Sequence, residues 1–127
     1  MKSLKVPTAL DFVSLQVRDM EKSKKFYHNT FGFKLAEYQN PNAVVFEDGQ
    51  GAIFAIRQPL VDLPESDSLG TGASLWFGWP EKIEQLYEYL RKESVTVLVP
   101  PFDTPFGRSI TVANPDGYRL TFHQVEV

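Results

Sequence analysis

Asn114-Pro115-Asp116-Gly117-Tyr118-Arg119-Leu120-Thr121-Phe122-His123 is the stretch whose reading decides the fold. Its first four residues spell a tight turn: Pro115 presets φ, Asp116 bonds its own backbone, and Gly117 adopts positive φ at no steric cost. A strand follows directly. Successive side chains point to opposite faces, so Tyr118, Leu120 and Phe122 share one face while Arg119, Thr121 and His123 share the other. The first face is apolar and belongs to a core. The second is polar.

Working outward, Arg108 to Ala113 and Val95 to Val99 read as two further strands, with Pro100-Pro101 and Pro105-Phe106-Gly107 as a stiff loop between them. Ahead of these, Ile83, Leu86, Tyr87 and Leu90 recur at helical spacing, with Pro80 suited to a first helical position. Ala73 to Trp79 is apolar and strand-like. The same order occurs in the first half. Asp11 to Val17 alternates as a half-buried strand, and Asp19 offers a helix N-cap. A helix then runs to about Phe31, where Gly32 stops it. Phe33 to Tyr38, Ala43 to Glu47 and, after an Asp48-Gly49-Gln50-Gly51 turn, Ala52 to Gln58 read as strands. Overlaying Val17-Arg18-Asp19 on Trp79-Pro80-Glu81 gives an internal repeat offset by roughly 62 residues. The fold class expected is therefore α+β, two tandem βαβββ modules forming a curved mixed sheet around a cleft. The modules span about 8–58 and 73–125, joined by a Pro-, Gly- and acid-rich linker at 59–72.

The chain resembles the vicinal oxygen chelate superfamily of glyoxalases, bleomycin resistance proteins and extradiol dioxygenases. The resemblance rests on Asp11 to Ser23, on Phe26-Tyr27 and Phe31-Gly32-Phe33, and on the closing Asn114-Pro115-Asp116-Gly117 turn and strand. It implies the same paired-module architecture and a homodimer. It also implies a ligand set in metal-bearing members that this chain departs from. Phe12 stands where they carry a first-strand histidine, Ser74 stands at the equivalent place in the second module, and Thr121 stands where the closing strand carries a glutamate. The strand Ala52 to Gln58 offers no ligand in either register. With only His28 and His123 available, and His28 read as a surface residue, no metal and no cofactor are expected. A register error pairing His123 with Glu47 or another carboxylate is the one escape, and Arg119 beside it would repel a cation.

Composition narrows the partners. The 127 residues suffice for one core, 43% of them are hydrophobic, and no apolar run approaches the roughly 18 residues of a membrane span. A net charge of -3 with scattered basic residues speaks against nucleic acid. No cysteine is present, which excludes thiolate chemistry. Met1 to Pro7 has two lysines but no apolar segment long enough for a secretory signal, so a cytoplasmic protein is expected.

Without metal ligands, the inward positions describe an amphipathic pocket made of Phe12, Ser14, Gln16, Ser74, Trp76, Arg119, Thr121 and His123. Trp76 either stacks on a ligand or is a plain wall residue. Arg119 either takes a carboxylate or phosphate bidentately or leans over the rim to Asp116. His123 contacts ligand, acts as a base, or satisfies a hydrogen bond near a strand end. The leading reading is a metal-free protein that binds a small aromatic or amphipathic molecule, sequestering an antibiotic or metabolite as bleomycin resistance proteins do. A metal-dependent lyase, isomerase or dioxygenase is the alternative. An interaction domain with a filled cleft is the third.

Overall fold

The computed structural model describes residues 10–37, 39–48, 52–63 and 69–125. The amino-terminal segment before Leu10, the 49–51 part of the expected turn, Tyr38 and the 64–68 part of the linker lie outside the described residues. The first half comprises β1 (Val13–Gln16), α1 (Met20–Lys24), β2 (Lys34–Leu35), β3 (Ala43–Glu47) and β4 (Ala52–Arg57). The second comprises β5 (Leu75–Trp79), α2 (Ile83–Lys92), β6 (Thr96–Thr104), β7 (Gly107–Ala113) and β8 (Arg119–Gln124). Each half makes a four-stranded mixed sheet, ordered β1-β4-β3-β2 and β5-β8-β7-β6. In both, the first and last strands pair in parallel and the remainder antiparallel. The repeat read from the sequence is thus a repeat of topology.

Local chemistry explains the elements. Asp19, extended at φ −128°, caps α1 by accepting the Lys22 N–H at 3.0 Å. From Lys25 to Thr30 the helix continues as a π-helical segment, and Phe31 N–H donates to Phe26 O at 3.3 Å. Phe26, Tyr27 and Phe31 lie together in the core, as their spacing on one side of the helix leads one to expect, although the turn that carries them is wider than α. Gly32, at φ +75°, ends it.

The second half differs from expectation at two prolines. Pro80 lies ahead of α2 and Lys82 is the cap residue; the first N–H, that of Ile83, is satisfied by Gln124 Oε1 at 3.0 Å. Pro100 and Pro101 lie inside β6, which runs on to Thr104, so they do not belong to a loop. β6 pairs only with β7 and its register shifts on either side of Val99, so an edge position tolerates the missing N–H groups.

The helix-side faces of the two sheets share one apolar core. Phe31 stacks on Phe122 (4.6 Å between ring centroids), and Phe77 meets Phe33 (5.0 Å) and Phe54 (5.7 Å), so rings of the first half are packed on rings of the second. The Asn114-to-Gly117 turn adds a polar latch. Asp116 Oδ1 accepts from both the backbone N–H and Nη1 of Arg18 at 3.1 Å, and Ser23 Oγ reaches Oδ2 at 3.4 Å. Asn114 Nδ2 donates to Tyr27 Oη (3.0 Å), and Tyr118 Oη donates to Gln16 O (2.8 Å). Burial pushes both phenols above their ordinary pKa, with the Asp116 charge a smaller contribution in the same direction. Gly70 sits so close that a Cβ there would lie 2.7 Å from Tyr118 Cα. Among the described residues no helix is long and apolar enough to cross a membrane.

Candidate functional site

Parallel pairing of β1 with β4 aligns Val13 with Phe54 and Leu15 with Ile56, all on the core side. Ser14 and Gln16 therefore share the opposite face with Ala55 and Arg57, which fixes the register that the sequence leaves open, whereas Ile53 packs against the core and Phe12 precedes β1. In the second sheet Leu75, Phe77 and Trp79 go to the core with Leu120 and Phe122. Ser74, Trp76, Arg119, Thr121 and His123 share the face away from it. The alternation read from the sequence holds within β1, β5 and β8, with Phe12 and Ser74 just ahead of their strands.

The structure gathers only some of them. Trp76, 44% exposed, donates its indole N–H to Ser74 Oγ at 2.9 Å, which fixes the ring on the open face. Its ring centroid lies 6.2 Å from the His123 ring and 5.6 Å from Phe106, which is 66% exposed. Phe106 and His123 are 6.4 Å apart. The three rings form one cluster. His123 Nδ1 lies 3.2 Å from Phe106 O, a carbonyl that only accepts, so the neutral ring keeps its proton on Nδ1 and offers Nε2 as an acceptor. Thr121 is buried beneath, its hydroxyl 2.8 Å from that of Thr111.

Phe106 is the residue that sequence reasoning missed. It sits at the tip of the β6–β7 hairpin, held by Thr104 Oγ1, which accepts the Phe106 N–H (3.1 Å) and donates to Gly107 O (2.8 Å). Gly107, at φ +114°, is required there, because a Cβ would lie 2.8 Å from Gln124 O. The Pro-Phe-Gly triplet was the available signal.

The remaining residues sit apart. Phe12 is exposed and makes no ring contact among the described residues. Gln16 Oε1 accepts the Leu60 N–H at 2.6 Å, and Ser14 is exposed on the same face. Arg119 lines a separate groove with Gly70 to Ala73. Asp116, its expected rim partner, is already bound to Arg18. His28 is exposed, its Nδ1 2.8 Å from Phe33 O. A further cavity of 690 Å³ runs along the β5 edge away from β8, lined by Ser74 to Gly78 and by Leu10, Phe33, Ile53 and Phe54.

A model of the Glyoxalase/Bleomycin resistance protein/Dioxygenase superfamily matches residues 9–122. The chain belongs to that superfamily. Among superfamily relatives, the phenazine antibiotic resistance protein EhpR of Enterobacter agglomerans is 27% identical over 126 residues, covering 93% of this chain and 94% of its own. The metallothiol transferase FosB of Lysinibacillus sphaericus is also 27% identical, over 117 residues, 91% of this chain and 81% of that one. In fold, a glyoxalase/bleomycin resistance protein/dioxygenase from Nocardioides superposes with a TM-score of 0.71 at 23% identity, covering 95% of this chain and 86% of its own.

The residues that the sequence reading sets against the ligands of metal-bearing members offer a divalent ion little. The Phe12 ring has no donor atom. Ser74 Oγ takes the Trp76 N–H, and Thr121 Oγ1 is engaged with Thr111. Neutral hydroxyls already bonded within the protein are poor ligands for a dication that favours imidazole and carboxylate. Glu47, the carboxylate considered with His123, is 3.2 Å from Lys34 Nζ on the far strand of the other sheet's β3–β2 pair.

Proposed function

We propose that the open face of the second sheet binds a small aromatic or amphipathic molecule without a metal ion, and that the protein acts by sequestering it. One observation carries this reading: Trp76, Phe106 and His123 cluster on a face where the Trp76 and Phe106 rings remain exposed and the Ser74 hydroxyl lies beside them. Aromatic surface held rigid before the ligand arrives loses little conformational entropy on binding, and stacking selects flat partners. Ser74 and the hairpin turn provide that rigidity. His123 Nε2 supplies a directional acceptor at the edge of the cluster. Ser14 and Gln16 occupy the corresponding face of the first sheet, with Phe12 just ahead of β1, and in a homodimer that face would form the opposing wall. EhpR, whose name records resistance to phenazine antibiotics, supports the same class of ligand.

The test is a titration of planar heteroaromatic compounds followed by tryptophan fluorescence and calorimetry. Trp76→Ala and Phe106→Ala are expected to weaken binding by roughly tenfold each, on the scale of one lost stacking partner. Unchanged affinity in both variants would remove the cluster from the site.

A further inference from the structure

The groove that takes Arg119 is distinct from the aromatic cluster. It has a volume of 600 Å³ and lies at the end of the second sheet, between the Gly70-Thr71-Gly72-Ala73 loop, Thr96 and Leu98 of β6, and the Asn114-to-Gly117 turn. Its floor is a single row across three strands, because Thr96 pairs with Ala113 and Ala113 with Arg119. Residues in register share a face, so the small Ala113 separates a threonine hydroxyl from a guanidinium about 10 Å across the sheet. Among the described residues Arg119 is the only charged one in the lining.

The other arginines show why this one stands out. Arg18 is bound to Asp116, Arg91 to Glu88, Arg108 to Glu84 and Asp103, and Arg57 Nε donates to Gln58 O. Among the described residues Arg119 alone of the arginines has no protein acceptor. The nearest carboxylate in sequence, Asp116, is buried in the latch and faces away from the groove. A planar fork of five donors is therefore presented to a cavity whose other walls are methyl, prolyl and leucyl surface with a few hydroxyls.

We propose that this groove is a second binding site, for a small organic monocarboxylate: the carboxylate pairs bidentately with Arg119, and a short apolar body lies against Leu98, Ala73 and Ala113. The charge count selects the class. One cation balances one carboxylate, whereas a phosphate dianion would call for a second cation or a cradle of backbone N–H groups. This site stands independently of the aromatic cluster, since none of Trp76, Phe106 or His123 lines it.

The experiment is a titration of the isotopically labelled full chain with butyrate at constant ionic strength, followed by backbone amide and Arg119 Nε resonances. Saturable shifts are expected at Thr71, Gly72, Thr96 and Ala113. Arg119→Gln, on an exposed side chain and with its amide spectrum showing an intact fold, is expected to weaken binding by roughly tenfold to a hundredfold. Arg119→Lys should retain part of it, and Trp76→Ala should leave it unchanged. Neutral butyramide should produce no saturable shift. The proposal is overturned if butyrate shifts do not saturate, if Arg119→Gln binds as well as the native chain, or if inorganic phosphate saturates these amides where butyrate does not. Loss of aromatic-ligand binding with butyrate binding retained would overturn only the reading of the cluster.

Discussion

Trp76 keeps its ring 44% exposed with its indole N–H committed to Ser74 and only the Phe106 and His123 rings beside it among the described aromatic residues. Ser74→Ala is expected to keep the fold and loosen the ring, so that affinity for a planar ligand falls several-fold, read by calorimetry. The buried phenols of Tyr27 and Tyr118 set a different limit. Both have pKa values raised above the ordinary 10.0, chiefly by burial, so the unfolded chain ionises first. Their neutral forms therefore favour the folded state in full below about pH 10, and that stability is lost as pH rises beyond it. Thermal midpoints measured from pH 7 upward should fall steeply above pH 10, and Tyr27→Phe should start lower but fall less steeply; equal slopes would assign the loss to other groups. At this scale the sequence was informative about strand residues, whereas it placed Phe106 only in a stiff loop that either borders the cavity mouth or merely connects strands. Alternation forces Trp76, Thr121 and His123 onto one face, whereas a hairpin tip has no period. Nor does alternation tell which acid binds which arginine, so Arg119 and Asp116 were legible as neighbours but not as strangers.

Among the elements, the turn from Asn114 to Gly117 does more than reverse the chain. Asp116 joins it to the start of α1 through Arg18 and Ser23, Asn114 reaches Tyr27, and Tyr118 reaches β1. Asp116→Ala leaves the Arg18 and Ser23 donors without their acceptor and is expected to cost about 1–3 kcal/mol, measured by denaturant unfolding. Gly70→Ala forces a Cβ against the Tyr118 backbone, and a loss of similar size, about 1–3 kcal/mol, is expected from overpacking. A neutral result for both would mean that the latch contributes nothing. The turn itself was fully legible, since Pro, Asp and Gly each have a local reason to be there. Its long-range partners were not, because a local signal carries no information about a contact 98 residues away. The π-helical segment and the passage of β6 through Pro100 and Pro101 escaped for a related reason: each depends on packing or an edge position that only the assembled sheet supplies.

For the whole molecule, two sheets of identical strand order share one aromatic core on the helix side. Superfamily membership and this architecture were readable from end to end of the chain, since the repeat, the alternation and the closing turn all agree. How the two sheets meet a ligand was not readable, because it depends on the spatial relation between them. If pairing of two chains completes the site, the protein should sediment as a dimer, with Phe12→Ala weakening ligand binding although Phe12 is outside the ring cluster; a monomer that binds a planar ligand at full affinity would contradict that role for Phe12. The central claim is that the Trp76, Phe106 and His123 face binds its ligand without a metal. It is tested most directly by titrating one planar heteroaromatic ligand into chelator-treated protein, before and after adding zinc, manganese or ferrous iron. The account predicts saturable binding to the stripped protein, unchanged by any of the ions and lost with Trp76→Ala. Binding that appears only after a metal is restored would contradict it.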